Sequence, residues 1–386
     1  MTSTKAPAPI PTAPPVGFRA TLAAFGWPPL LLIAAAVAIL VWLGRNMTFY
    51  HDEFAFLLLR DLSADGILAP HNEHLSATLV LLYQGLLATV GTASYWPYLG
   101  VTYALHVIVA VIVYVVVRRE TNATWALGAL AVMLLLGSGG DDILWAFQSG
   151  PVGATAAGMA AVVLAPRRPA IAALLLTVAL FTSGASLAFL VATGAHLALT
   201  RPRALAWLAL PVGLYLAWYI GFGASHIQAL RSPSLDGVPV YVLYGLAASA
   251  AGVIGSTVPA MGVVVLVALV VGFAWTRSAP PVVIAMLVSS VAFFAIAGLV
   301  RAQFGPEQAA ASRYVYVAAP GLLIAGAVLL ARLPRRWRNV AGAVLLAIAL
   351  VGNVGLLVER HDRFLSMIEC ERSMTPIARG SAGNLC

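Results

Sequence analysis

Residues 97–117 read PYLGVTYALHVIVAVIVYVVV, and Arg118-Arg119 follow at once. The run carries no charge and ends on a basic pair. A helix needs about 20 apolar residues to cross roughly 30 Å of hydrocarbon, so the run reads as a membrane span with a cytoplasmic basic end. The same pattern recurs at 26–44, 123–138, 146–165, 204–221, 257–275, 281–300, 315–332 and 339–357. The chain of 386 residues is 61% hydrophobic and 9% charged, against about 25% charged in a soluble domain. Its mean hydropathy is +0.94. A soluble enzyme, a disordered chain and a coiled coil are excluded.

Three stretches need arbitration. Residues 75–91 are apolar but short, 169–199 are too long for one upright helix, and 238–255 are rich in Gly, Ala and Ser. The short basic turns are Arg118-Arg119, Arg167-Arg168, Arg201/Arg203, Arg277 and Arg332, Arg335, Arg336 and Arg338. With Lys5 and Arg19, all are cytoplasmic if 75–91 and 238–255 lie along the membrane and 169–199 crosses twice, turning at Thr182-Ser183-Gly184. The expected architecture is an all-α polytopic membrane protein of about 11 transmembrane helices, N-terminus cytoplasmic and C-terminus extracytoplasmic. Of the 14 acidic residues only Glu120 then faces the cytoplasm. Acidic residues contribute little to orientation, so this segregation is independent of the rule that produced it.

The expected divisions are a disordered, Pro- and Ala-rich cytoplasmic N-terminus at 1–20, a transmembrane domain at 21–358 and a short extracytoplasmic tail at 359–386. Both cysteines, Cys370 and Cys386, lie in that tail and are candidates for a disulfide in an oxidising compartment. The net charge of +8 reflects retained cytoplasmic Arg; no basic patch interleaved with aromatics suggests nucleic acid.

The outer loops carry the chemistry. The first holds His51, Asp52, Glu53, Arg60, Asp61, Asp65, His71, Asn72, Glu73 and His74, with apolar Phe54–Leu59 suited to the membrane interface. The second reads SGGDDILWAFQSG and presents Asp141-Asp142; the loop at 222–237 holds His226, Arg231 and Asp236; a later loop carries Arg301, Gln303, Glu307, Arg313 and Tyr314. Each has a bland reading: Asp52-Glu53 as a solvated pair, Asp141-Asp142 as a helix cap, Arg313 as an anchor at a helix end, His71 and His74 as polar loop residues. An HxxH on a helix beside carboxylates can also bind a divalent ion. Carboxylates at the edge of hydrocarbon are costly and usually functional, and these loops converge on one membrane face.

This layout resembles the GT-C superfamily of integral membrane glycosyltransferases, which includes protein O-mannosyltransferases, the aminoarabinose transferase of lipid A and mycobacterial arabinofuranosyltransferases. The resemblance spans about 26–357. It rests on the acidic His51-Asp52-Glu53 motif past helix one, two membrane-parallel helices at about 50–62 and 75–91, Asp141-Asp142 between helices three and four, a parallel helix at 238–255 after helix seven, and late basic residues Arg301 and Arg313. HNEH at 71–74 and the absence of a large C-terminal outer domain depart from the family.

The resemblance implies transfer of a sugar from a polyprenyl-phosphate donor to a hydroxyl of a cell-envelope glycan, lipid or protein, at a bacterial plasma membrane. Asp52 is the implied general base, with Glu53 second, and Asp141 or Asp142 orients the acceptor. Arg313, Arg301, His71, His74 and Tyr314 are the implied phosphate-binding residues. Some relatives use Mg2+ or Mn2+, for which Asp52 and Asp142 are the candidate ligands. The competing classes are a transporter or flippase, which would place charge near the bilayer midplane, and a non-catalytic membrane protein of the same fold.

Overall fold

The computed structural model describes residues 26–72, 74–224 and 235–373. The N-terminal 1–20, Glu73, His226, Arg231 and Cys386 lie outside the described residues. Fifteen α-helices are present among the described residues: α1 Trp27–Gly44, α2 Ala64–Leu68, α3 Ala77–Val90, α4 Trp96–Glu120, α5 Ala123–Leu134, α6 Gly140–Leu144, α7 Ser149–Leu164, α8 Pro169–Leu180, α9 Ser186–Thr200, α10 Ala209–Trp218, α11 Val238–Val253, α12 Pro259–Thr276, α13 Pro281–Arg301, α14 Ser312–Ala331 and α15 Arg335–Ser373. No strand occurs among the described residues; the one β-bridge pairs His71 with His74.

Local sequence explains the breaks. Proline stands in the first turn of α1, α4, α8, α11, α12 and α13, where its missing N–H costs nothing and its fixed φ suits a helix start. Asn122 caps α5, its side chain accepting from the N–H groups of Thr124 and Trp125. Apolar surroundings oblige every backbone group to bond within its own segment, and the long helices do so.

Nine stretches are long and apolar enough to cross a membrane among the described residues: Trp27–Gly44, Trp96–Glu120, Ala123–Leu144, Ala146–Leu164, Pro202–Gly223, Pro259–Thr276, Pro281–Phe304, Ser312–Ala331 and Arg335–Glu371. They coincide with the nine unambiguous runs of the sequence. The protein is an all-α, multi-pass membrane protein.

The bundle has a basic end and an acidic end. At the basic end the Arg201 guanidinium donates to Pro166 O at 3.3 Å, Arg332 donates to Ser278 O, and Glu120 lies beside Arg119 and Arg332. At the other end, Asp141 N donates to Ser312 Oγ at 3.1 Å, and the Tyr50 and Trp145 rings stand 5.8 Å apart. The ambiguous segments resolve against this polarity. α3 begins at the acidic end, where Thr78 N donates to Phe181 O, and finishes there, where Tyr98 Oη donates to Gly91 O. α11 also has both ends at the acidic end: Tyr241 meets Phe294 on the last turns of α13, and Gly252 packs on Ser138. α8 and α9 leave the basic end, turn at Thr182-Ser183-Gly184 and return.

Small residues let helices touch backbone to backbone, as in other membrane bundles. Gly262 of α12 rests on Ala247 O, and Gly352 of α15 lies against Gly255. Asn353, fully buried on α15, donates to Gly252 O at 3.1 Å and accepts from Ser138 N at 3.1 Å.

Within the stretch expected as the tail, residues 359–373 are helical and continue α15, which runs 39 residues in all, or about 58 Å at 1.5 Å per residue. Its last turns meet the acidic end, where Arg360 pairs with Asp141 and the Phe364 ring stands 6.3 Å from those of Tyr50 and Trp145.

Candidate functional site

A cavity of about 590 Å3 opens at the acidic end. One wall holds Asp52, His71 and His74 of the first loop. A second holds Arg301 at the end of α13 with Arg313 and Tyr314 at the start of α14. The third is the Thr182-Ser183-Gly184 turn. Below these polar groups the lining is apolar, with Leu187, Phe293, Ile296 and Leu299. Tyr215, Leu216 and Tyr219 line it from the α10 side. α10 packs on α8, whereas α13 packs on α9, α11 and α14.

The first loop is tied down by bonds that the sequence does not announce. Arg60 donates to the carbonyls of Gly66, Ala69 and Pro70 at 3.1, 2.8 and 2.8 Å, and Gln84 Nε2 donates to Phe56 O and Arg60 O. Trp218 Nε1 donates to Leu68 O at 2.8 Å, fastening the loop to α10. Ala55–Leu59 forms a single π-turn with Phe56 and Leu57 buried and Leu58 and Leu59 largely exposed. That amphipathic split suits an interface.

His71 and His74 do not sit on a helix. They form a β-bridge, His71 N donating to His74 O at 2.9 Å and His74 N to His71 O at 3.0 Å, with Asn72 at φ 54°. Asn tolerates that left-handed conformation better than most residues. Directly paired residues share a face, so both imidazoles line the cavity. The helical HxxH metal motif is thereby corrected. His74 occupies the space beside Gly184, where a Cβ would stand 2.4 Å from its Nδ1. Burial lowers the His71 pKa, Asp52 pulls upward against it, and Arg60 adds a smaller downward push.

Asp52 is 29% exposed by its side chain, and its Oδ1 lies 3.1 Å from His51 Nδ1. Glu53 turns the other way. It is completely buried, accepting from Tyr83 Oη at 2.7 Å, Tyr95 Oη at 3.1 Å and Tyr50 N at 2.9 Å. Burial pushes its carboxyl up to about 7, against those hydrogen bonds. Glu53, expected as the second candidate base, is not among the residues lining the cavity; its hydrogen bonds hold the turn that presents Asp52.

The second acidic motif also departs from expectation. Asp141 pairs with Arg360 of the α15 extension at 3.3 Å. Asp142 is completely buried, and neither oxygen has a hydrogen-bond partner among the described residues. Neither aspartate caps α6 with its side chain. Neither lines the cavity, so the structure does not place them where an acceptor would be oriented. Arg313 is near enough to act on both charges electrostatically, which puts the two acidic motifs on one end of the bundle.

A divalent ion shared by Asp52 and Asp142 does not fit. Asp142 is sealed from the cavity that Asp52 lines, and no cluster of three or more His, Cys, Asp or Glu residues could hold a metal among the described residues.

Sequence reasoning missed Tyr83, Tyr95, Asn353 and Arg360, which position the two acidic turns. Their partners lie between 30 and 219 positions away, so no local pattern marks them. No protein-family model, curated protein or solved structure matches the chain.

Proposed function

We propose that the protein is a GT-C-like glycosyltransferase of a bacterial plasma membrane, with eleven crossings and its acidic end outside. On this reading it transfers a sugar from a polyprenyl phosphate to an acceptor hydroxyl. The supporting observation is the cavity: a carboxylate, two arginines and two imidazoles stand over an apolar wall at one end of a membrane bundle. A transporter would place charge near the midplane, whereas these groups meet at helix ends and loops.

The prenyl chain lies along Leu216, Ile296 and Leu299, between α10 and α13. Its phosphate faces Arg313 and Arg301, whose planar forks suit phosphate oxygens and stay charged. An uncharged His71 can donate a further hydrogen bond. Asp52 takes the proton from the acceptor hydroxyl as that oxygen bonds to the anomeric carbon. The bond from that carbon to the phosphate oxygen breaks, and the lipid phosphate leaves with the electron pair, held by the arginines. Asp52 serves as base because, among the described residues, it is the carboxylate that lines the cavity.

The test is turnover by purified protein in liposomes containing polyprenyl-phosphate sugars of mannose, arabinofuranose and aminoarabinose, scored as release of polyprenyl phosphate. Release that disappears in Asp52→Asn supports the reading. Release unchanged in that variant removes Asp52 as base, and no release from any of the donors overturns the proposal.

A further inference from the structure

We propose that a second site, outside the cavity, binds neutral carbohydrate chains. A groove of about 930 Å3 opens at the acidic end between the last turn of α1, residues 92–96 leading into α4, and the extension of α15. It differs from the central cavity in chemistry.

Its lining includes Asn46, Thr48, Thr92 and Glu369. Their side chains make no hydrogen bond or ion pair among the described residues. Arg45 also lines the groove; it donates to Trp42 O at 3.0 Å and lies 4.1 Å over the Trp42 ring. Trp96, 39% exposed, lines it beside Phe49, which meets Tyr95 edge-on at 5.0 Å.

This inventory selects a ligand class. Arg45 and Glu369 balance, so the groove lacks the excess of cations that a phosphate demands. Its polar rim does not suit a hydrocarbon chain. A sugar carries hydroxyls that both donate and accept, and an apolar C–H face that lies flat on an aromatic ring. An amide, two hydroxyls, a carboxylate and a guanidinium beside an exposed indole match those needs. The volume lies in the range of ligand sites.

Position adds a second argument. Tyr95 lines the groove, and its hydroxyl donates to Glu53 at 3.1 Å. One side chain therefore separates the groove from the turn that presents Asp52. Carbohydrate binding stands by itself; that the bound chain is the acceptor rests on the transferase reading.

Saturation-transfer NMR tests the site on the full chain in lipid nanodiscs, without donor. The probes are soluble hexasaccharides of glucose, mannose and arabinofuranose, with sorbitol as control. At least one hexasaccharide should receive saturation above sorbitol. Asn46→Ala and Thr92→Ala together should cut it about tenfold, and Arg313→Ala should leave it unchanged. Trp96→Ala should act similarly, but Trp96 packs near Gly44, so the exposed pair Asn46 and Thr92 carries the test. No saturation above sorbitol, or full saturation in the double variant, overturns the proposal. Saturation without donor turnover on the same preparation supports the groove and counts against the transferase reading.

Discussion

Two turns at the acidic end each carry adjacent carboxylates, and each exposes one while burying the other. In the first, Asp52 meets the cavity and Glu53 is sealed; in the second, Asp141 meets Arg360 and Asp142 is sealed. The buried members differ. Glu53 collects three donors, from Tyr83, Tyr95 and the Tyr50 backbone, whereas Asp142 has none among the described residues. A buried carboxylate without donors is far costlier when charged than when neutral. Proximity of two acids in sequence therefore says little about their work; the donors supplied from elsewhere decide it.

The widest contrast comes from neutralising the cavity-lining Asp52 and the sealed Asp142 separately. Asp52→Asn should lower sugar-transfer turnover by about 10²–10⁴-fold, the usual weight of a general base, with melting temperature unchanged. Asp142→Asn should leave turnover within a few-fold and leave stability equal or higher, because no donor is lost. A reversal, with Asp142 essential and Asp52 dispensable, would break the assignment.

Glu53→Ala should destabilise by about 3 kcal/mol, since it strands two tyrosine hydroxyls and a backbone N–H. Glu53→Gln should keep much of that network. The pH dependence has a definite sign. The Glu53 carboxyl is raised from 4.5 to about 7, so its contribution to stability is complete below pH 4.5 and is lost as pH rises through 7. Thermal unfolding in detergent across that window should fall for the wild type by up to about 3 kcal/mol and be flatter for Glu53→Gln. A slope that rises with pH and vanishes in that variant would sink this account.

Arg313→Ala should weaken donor binding about 10–100-fold, as expected when a charge facing an anion is removed, with carbohydrate binding in the groove unchanged. The least change is expected from Arg360→Ala, whose partly exposed pair with Asp141 is worth about 1 kcal/mol or less. A large loss of turnover there would show that the α15 extension sets the second acidic turn more tightly than the pair alone suggests.

Much of the membrane framework was legible. The nine long runs needed only length and hydropathy, because hydrocarbon imposes the same requirement on each span. Arg placement led to reading 169–199 as two helices and 75–91 and 238–255 as one each, and the structure has short apolar helices there, Ala77–Val90, Pro169–Leu180, Ser186–Thr200 and Val238–Val253. The candidate residues that line the cavity, Asp52, His71, His74, Arg301, Arg313 and Tyr314, were each visible as polar groups at span ends. The His71 and His74 pair was misread because an i,i+3 pair fits a helix and a tight turn equally well. That residues 359–373 continue α15 was not legible because charge interrupts the apolar pattern there, although α-helix continues through charged residues wherever one face can pack.

The amino-acid sequence alone determined that this is a helical chain built for lipid, with charge divided between its two ends, since solvation in hydrocarbon is a property of each segment by itself. Only tertiary structure decided that Asp52 rather than Glu53 or Asp142 faces open space, and that the 92–96 connection and α15 enclose a polar groove. Those outcomes depend on which distant tyrosines, glycines and arginines arrive beside each carboxylate, and burial is a property of the assembled neighbours.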